Sequence, residues 1–201
     1  MSELHPWVAA AARGALPDWT VARENRRAHM ARVAALLRGW GEVRGDGPRD
    51  IERWAAVGYL HDVLRDADPD ELRAALSAPL DHLPDEVIHG PAAADRLRQG
   101  GVTDEPLLTA IGFHTLGSPD FDDIGKALYV ADFLEPGRKL QPKWRARLRD
   151  EMPVGLDSVA KAVVGKRVQF LIKRGRPVPT ETFGLWNVLA KGRSWASASE
   201  V

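Results

Sequence analysis

The chain has 201 residues, of which 44% are hydrophobic and 28% are charged, and these proportions are typical of an ordinary globular domain. Its 28 basic and 28 acidic residues cancel, so no net charge attracts a nucleic acid or an anionic membrane surface. The absence of cysteine excludes disulfides and thiolate ligands, and a bound metal must therefore use nitrogen and oxygen donors.

The chain shows no targeting pattern and no internal division. Residues 1–14 lack both a basic start and an uninterrupted apolar run, and no other stretch approaches the roughly 20 apolar residues that span a bilayer. We therefore expect a cytoplasmic protein. Because no linker or composition shift divides the chain, we predict one domain over residues 1–192 and a frayed tail over residues 193–201.

Apolar residues recur at helical spacing almost throughout, which predicts an all-α fold of the helical-bundle type. The first clear helix covers residues 23–40, and its apolar stripe includes His29. A second helix is expected from Asp50, a plausible N-cap, and its apolar face leads to His61 and Asp62 in the last turns. The spacing therefore predicts that all three of these polar side chains face the core.

The middle of the chain carries three more polar groups of this kind. After a short helix predicted over residues 70–78, the next segment is broken at His89, because the following Gly90 and Pro91 disfavour helical continuation. A helix that begins at Thr103 or Asp104 places His114 near its end. The next helix presents Asp132 on its apolar face.

Three further helices are predicted over residues 144–149, 156–174 and 180–191. Their apolar faces carry no comparable cluster of ionisable groups. We expect them to complete the bundle.

Six inward-facing groups thus belong to one scaffold: His29, His61, Asp62, His89, His114 and Asp132. Taken singly, each histidine has an ordinary explanation as a hydrogen-bonded core residue, and His5 and His82 are assigned that role. Aspartate, however, is almost never buried unless it is paired or metal-bound. A two-metal hydrolytic site accounts for the whole set. The alternative is a structural polar core in which Arg26, Arg65 and Arg138 neutralise the two carboxylates.

The order His29, His61-Asp62 and Asp132 resembles the H…HD…D signature of the HD-domain metal-dependent phosphohydrolases, and His89 with His114 matches their six-ligand subset. The segments RRAHMARVAALL, AAVGYLHDVLR, IHGPAAADRL, AIGFHTLGS and LYVADFLEPGR resemble consecutive motifs of the YqeK-like bacterial family of symmetrical diadenosine-tetraphosphate hydrolases. The C-terminal run from Leu156 to Leu189 is also similar to that family, so the resemblance covers nearly the whole chain in order.

The resemblance implies two metal ions with Asp62 as the bridging carboxylate. His29, His61 and Asp132 would join it on one ion, and His89 and His114 on the other. The family implies iron, and the donor types also suit manganese, magnesium, cobalt, nickel or zinc. A metal-bridging hydroxide would then attack a β-phosphorus and split diadenosine tetraphosphate into two ADP.

Residues near the predicted ligands are candidates for contact with the substrate. Asp62 and Arg65 are assigned catalytic roles, although the family usually has lysine where this chain has Arg65. The predicted substrate-binding residues are Arg26, Arg65, Lys126, Arg138 and Thr115, of which the arginines and the lysine suit phosphate oxygens.

Two other functions stay open at this point. The chain could be an HD-domain phosphohydrolase for another mono-, tri- or cyclic nucleotide, because pocket residues rather than metal ligands set specificity. It could also be a helical nucleotide-binding module without catalysis. In each case the expected partner is a small nucleotide rather than a nucleic acid or a membrane, and the family resemblance makes a homodimer plausible.

Overall fold

The computed structural model describes residues 3–78, 80 and 82–191. Within these residues the protein is all-α, as predicted, and no helix is long and apolar enough to cross a membrane. The helices are α1 (Pro6–Ala12), α2 (Glu24–Arg44), α3 (Pro48–Leu60), α4 (Pro69–Ala75), α5 (His89–Gln99), α6 (Glu105–Phe113), α7 (Asp123–Leu134), α8 (Pro142–Asp150), α9 (Leu156–Lys173) and α10 (Thr180–Ala190). The tail predicted over residues 193–201 lies outside the described residues.

The predicted helices are present, with differences at their ends. Helix α2 continues past Trp40 to Arg44, where Gly45 adopts a left-handed conformation with φ 76° and ends it. The predicted N-cap at Asp50 is wrong, because Pro48 already occupies the first turn of α3, where its fixed φ suits a helix start. The helix predicted over residues 70–78 ends at Ala75.

Helix α1 was missed by the sequence analysis. It is only seven residues long, and it buries Val8, Ala11 and Ala12 against the rest of the protein. His5 has the ordinary structural role assigned to it, because its Nδ1 accepts a hydrogen bond from the backbone N–H of Trp7 at the start of the helix.

Two close helix contacts position the polar cluster. Helix α3 packs so tightly on α2 that a Cβ atom added to Gly58 would lie 2.5 Å from the Cα of Ala34. Helices α5 and α6 approach similarly, since a Cβ on Gly90 would lie 2.8 Å from the carbonyl oxygen of Gly112. Helix α7 packs against α2, α3, α6 and α9. The ends of these helices therefore converge on one region of the core.

Candidate metal centre

All six predicted ligand residues come together in the structure, each delivered by the start or end of a helix or by the turn beside it. His29 lies in the second turn of α2, and His61 and Asp62 follow the last residue of α3. His89 is the first residue of α5. His114 follows the last residue of α6, and Asp132 lies near the end of α7. Asp132 is half-buried, and the other five are buried with at most 6% of their surface exposed.

Asp62 lies between two groups of imidazoles, and each of its oxygens faces a different group. Its Oδ2 lies 3.4 Å from Nε2 of His61 and 3.8 Å from Nε2 of His29. Its Oδ1 lies 3.1 Å from Nε2 of His89 and 3.4 Å from Nε2 of His114. A carboxylate placed in this way can contribute one oxygen to each of two cations.

Backbone carbonyls orient two of the imidazoles. Nδ1 of His61 lies 2.8 Å from the carbonyl oxygen of Gly58, and Nδ1 of His114 lies 2.8 Å from that of Ile111. An Nδ1–H that donates to a carbonyl leaves Nε2 with the free lone pair in the neutral ring. Both Nε2 atoms are therefore available as ligands on the side that faces Asp62.

Several imidazole nitrogens of the cluster are buried without a hydrogen-bond partner among the described residues. They are Nε2 of His29 and Nε2 of His61, and also Nδ1 of His89, which is not the nitrogen placed against Asp62. A buried polar atom without a partner is costly, and a bound ion is one way to satisfy it. Two overlapping groups have ligand atoms within 4.8 Å of one another, namely His29, His61 and Asp132, and His61, Asp62 and His114. The nitrogen and oxygen donors present fit a metal centre.

The charge states of Asp62, Asp132 and His89 suit metal binding. Burial opposes ionisation of Asp62, yet His61 and the other imidazoles beside it hold the pKa of its carboxyl well below the usual range. Burial likewise opposes ionisation of Asp132, but its neighbours His29 and His61 lower the pKa of that carboxyl. Burial lowers the pKa of His89 to about 4, so this ring is neutral at neutral pH. Ionised carboxylates and neutral imidazoles are the forms that ligate metals. For His61, burial opposes protonation, but the charges of Asp62 and Asp132 raise the pKa of the ring, so a metal bound there would displace a proton.

Two of the three arginines predicted near the carboxylates, Arg26 and Arg138, are paired with them. Nη1 of Arg26 lies 2.7 Å from Oδ2 of Asp62, and Nη2 of Arg138 lies 2.8 Å from Oδ1 of Asp132. Arg65 is half-buried in the turn after Asp62, and its charge contributes to lowering the pKa of the His89 ring.

The two other predicted binding residues differ in placement. Oγ1 of Thr115 lies 3.0 Å from Nε2 of His114, at the edge of the cluster. Lys126 is not brought there, because its ammonium group pairs with Asp157 at 2.7 Å and Asp123 at 3.3 Å, early in α7. Asp132 lies six residues further along that helix, a rise of about 9 Å.

A buried carboxylate missed by the sequence analysis lies behind the cluster. Oε1 of Glu135 is 3.4 Å from Nδ1 of His29, and its Oε2 accepts a 2.6 Å hydrogen bond from Nε of Arg32. A carboxylate on the far nitrogen of a histidine fixes the ring and its tautomer. The sequence offered one signal for Glu135. It lies three residues after Asp132, and residues three apart share a helix face.

A cavity of about 170 Å³ adjoins the cluster, and it was also missed. Cationic, polar and aromatic side chains from α7, α8, α9 and the segments after α6 and α7 surround it: His114, Thr115, Tyr129, Asp132, Phe133, Arg138, Arg145 and Arg167. Its lining includes three guanidinium groups and a single carboxylate. An anion beside the cluster would find a positive environment here.

Known proteins match most of this chain. Residues 26–137, which include all six clustered residues, match the family model described as the HD domain, and HD domains are metal-dependent. Three curated relatives are named symmetrical bis(5'-nucleosyl)-tetraphosphatase. The protein from Bacillus subtilis is 30% identical over 71% of this chain and 79% of its own length. The protein from Staphylococcus aureus is 28% identical over 82% of this chain and 86% of its own length. The protein from Halalkalibacterium halodurans is 27% identical over 70% of this chain and 77% of its own length.

A solved structure shows the same fold. It is a predicted HD superfamily hydrolase involved in NAD metabolism from Clostridium acetobutylicum, with a TM-score of 0.73 and 22% identity over 90% of this chain and 94% of that one. The fold, the clustered histidines and aspartates and the relatives agree. The chain belongs to the HD-domain family and, within it, to the family of symmetrical bis(5'-nucleosyl)-tetraphosphatases.

Proposed function

We propose that this protein hydrolyses diadenosine tetraphosphate at the centre of its phosphate chain and releases two ADP. The names of the three curated relatives support this substrate. The observation that carries the proposal is the position of Asp62, whose two oxygens face different imidazole groups. A carboxylate that can bind two cations suits a two-metal site, in which the ions stabilise the attacking and leaving oxygens of a phosphoryl displacement.

The proposed ligands divide into two sets that share Asp62. His29, His61 and Asp132 would hold one ion with its Oδ2, and His89 and His114 the other with its Oδ1. We propose iron as the metal, with manganese, magnesium, cobalt, nickel or zinc as alternatives that the same donors accept. When bound, such ions supply Lewis acidity that activates water and stabilises negative charge on phosphoryl oxygens.

The protein's own side chains hold and orient the phosphates. Arg138 is 43% exposed and pairs with Asp132 at the edge of the cluster, so its remaining N–H groups are within reach of a non-bridging oxygen. Arg26 pairs with Asp62, and Arg65 lies near enough to His89 for its charge to lower the pKa of that ring, so each can bring a positive charge to a tetraphosphate. Thr115 offers a hydroxyl beside His114. Lys126 contributes least, because two carboxylates already hold it.

The test is an incubation of the purified, metal-loaded protein with diadenosine tetraphosphate in ¹⁸O-labelled water. We expect ADP as the only nucleotide product, with one labelled oxygen on the β-phosphate of one ADP per cleavage. ATP with AMP would contradict cleavage at the centre. An unchanged substrate, together with turnover of another nucleotide, would favour a different HD-domain phosphohydrolase, and metal content below one ion per chain would favour a non-catalytic module.

Lys126→Ala is the matched control for the binding residues. It removes a cation from α7 that does not contact the cluster, so the same products should form at a similar rate. The cytoplasmic location, the homodimer, the single domain over residues 1–192 and the absence of a nucleic-acid partner stay predictions.

A further inference from the structure

The cavity beside the metal centre is lined by three arginines from the C-terminal part of the chain. Arg138 follows α7, Arg145 lies in α8 and Arg167 lies in α9. All three lie beyond residue 137, where the match to the HD domain ends. The C-terminal helices therefore contribute charge to a site whose proposed metal ligands all lie inside that match.

Arg145 is fixed in place without a carboxylate partner. Only 7% of its surface is exposed, and its guanidinium donates hydrogen bonds to the carbonyl oxygens of Phe133 and Leu140 while it lies 4.2 Å above the Phe133 ring. No salt bridge joins it to any described carboxylate. Burial lowers the pKa of Arg145, and the nearby charges of Arg138 and Arg149 lower it further. Like charges therefore lie close together around Arg145, and a bound anion would reduce the repulsion between them.

Arg167 is another cationic residue of the cavity lining. It is half-buried in α9, and the described residues give it no ion pair or side-chain hydrogen bond. Its charge acts on the nearby hydroxyl of Tyr129, where burial raises the pKa to about 12. The phenol is therefore neutral at physiological pH and can donate a hydrogen bond to an anion. Arg167 and Tyr129 thus offer an uncommitted cation and a neutral donor to the same space.

The size and charge of the cavity indicate its occupant. At about 170 Å³ it is smaller than the roughly 300–1,000 Å³ of pockets that enclose a drug-sized molecule, so it suits a phosphate group better than a nucleoside. Three guanidinium groups against the single carboxylate of Asp132 leave an excess of positive charge. Guanidinium forks match phosphate oxygens in geometry as well as charge.

We propose that Arg145, Arg167 and Tyr129 form a subsite for a phosphate group of the substrate next to the phosphorus that is attacked. This inference rests on the proposed function. It adds that residues of the C-terminal helices make the site selective for a polyphosphate substrate. A substrate with a single phosphate at the metal centre leaves the subsite empty. A dinucleoside tetraphosphate fills it.

The test compares Arg167→Gln with Lys166→Gln in the metal-loaded protein. Lys166 is the preceding residue of α9, is exposed and does not line the cavity, so it is the matched control. For Arg167→Gln we expect kcat/KM on diadenosine tetraphosphate to fall about tenfold to a hundredfold, the size expected for loss of a charge-assisted hydrogen bond. Hydrolysis of bis(p-nitrophenyl) phosphate, which has one phosphate, and metal content should stay unchanged. Arg167→Lys should recover part of the loss.

Equal losses on both substrates, or no loss on the tetraphosphate, would overturn the subsite. A binding measurement separates this outcome from failure of the proposed function. Calorimetric titration with ADP should show affinity weakened about tenfold to a hundredfold by Arg167→Gln and unchanged by Lys166→Gln, whether or not the tetraphosphate is cleaved. Equal ADP affinity in both variants contradicts the subsite. A wild-type protein that binds ADP through Arg167 but leaves the tetraphosphate intact contradicts only the proposed function.

Discussion

The contact between α2 and α3 predicts opposite effects for alanine at two helical glycines. A Cβ on Gly58 would lie 2.5 Å from Cα, 2.7 Å from N and 3.1 Å from Cβ of Ala34, and two of these atoms belong to the backbone. Backbone atoms of a packed helix cannot turn aside as a side chain can, so α3 must shift. For Gly39 in α2, no atom of the described part of the chain lies within 4 Å of the added Cβ.

The magnitudes follow from these distances. Overpacking of this kind costs up to about 3 kcal/mol, and replacing a helical glycine by alanine returns about 1 kcal/mol. Gly58→Ala should therefore lower the free energy of unfolding by up to about 2 kcal/mol and the melting temperature by up to about 8 °C, on the scale for chains of this size. Gly39→Ala should raise the free energy of unfolding by up to about 1 kcal/mol.

Thermal and urea unfolding of both variants measure the difference, and metal titration adds a second readout. The carbonyl oxygen of Gly58 lies 2.8 Å from Nδ1 of His61, so a shift of α3 should weaken metal binding in Gly58→Ala and leave it unchanged in Gly39→Ala. A Gly58→Ala protein as stable as Gly39→Ala, with unchanged metal affinity, would refute the reasoning.

Three further perturbations test the site and its frame. Asp62→Ala should reduce metal content and lower kcat by more than about a hundredfold. Replacing a residue that only supports a metal ligand already costs about tenfold to a hundredfold, and loss of a ligand should cost more. A fully active variant would contradict the shared carboxylate. Glu135→Gln should weaken metal binding about tenfold to a hundredfold, because the charge that fixes His29 is lost, and unchanged affinity in a metal titration would exclude that role. Arg53 holds the pKa of the partly buried Asp104 below its usual value, so the pair stabilises the protein above about pH 4 and this contribution is lost as pH falls through the lowered pKa. Arg53→Gln should therefore be less stable than the wild type in urea at pH 7, with a smaller difference at about pH 3, and a constant difference would contradict this ion pair.

The sequence was sufficient to predict the helices after α1 and the clustered residues, because both depend on local periodicity. A histidine or aspartate in an apolar helical stripe must face the core, and this reasoning identified His29, Asp62 and Asp132 from residues close to them in the chain. The ends of helices were less predictable. Gly41 stays inside α2 because it is buried against Ile51, a contact made by another helix.

The residues that the sequence analysis missed act through contacts distant in the chain. Arg145 and Arg167 lie in amphipathic helices where a cation normally faces solvent, and only the packing of α8 and α9 near α7 brings them to the cavity. Glu135 follows the last residue of α7, where the Pro136 beside it indicated only the end of a helix. Lys126 shows the opposite effect of such contacts, because Asp157 in α9 pairs with the ammonium group that was predicted to bind substrate.

The central claim is that Asp62 joins two metal half-sites, and anomalous diffraction from crystals grown with Mn²⁺ tests it most directly. We predict two ions about 3.5–4 Å apart. One should contact Oδ2 of Asp62 with His29 and His61, and the other should contact Oδ1 with His89 and His114. A single ion, or two ions that leave Asp62 without a metal contact, would contradict a carboxylate shared between two metals.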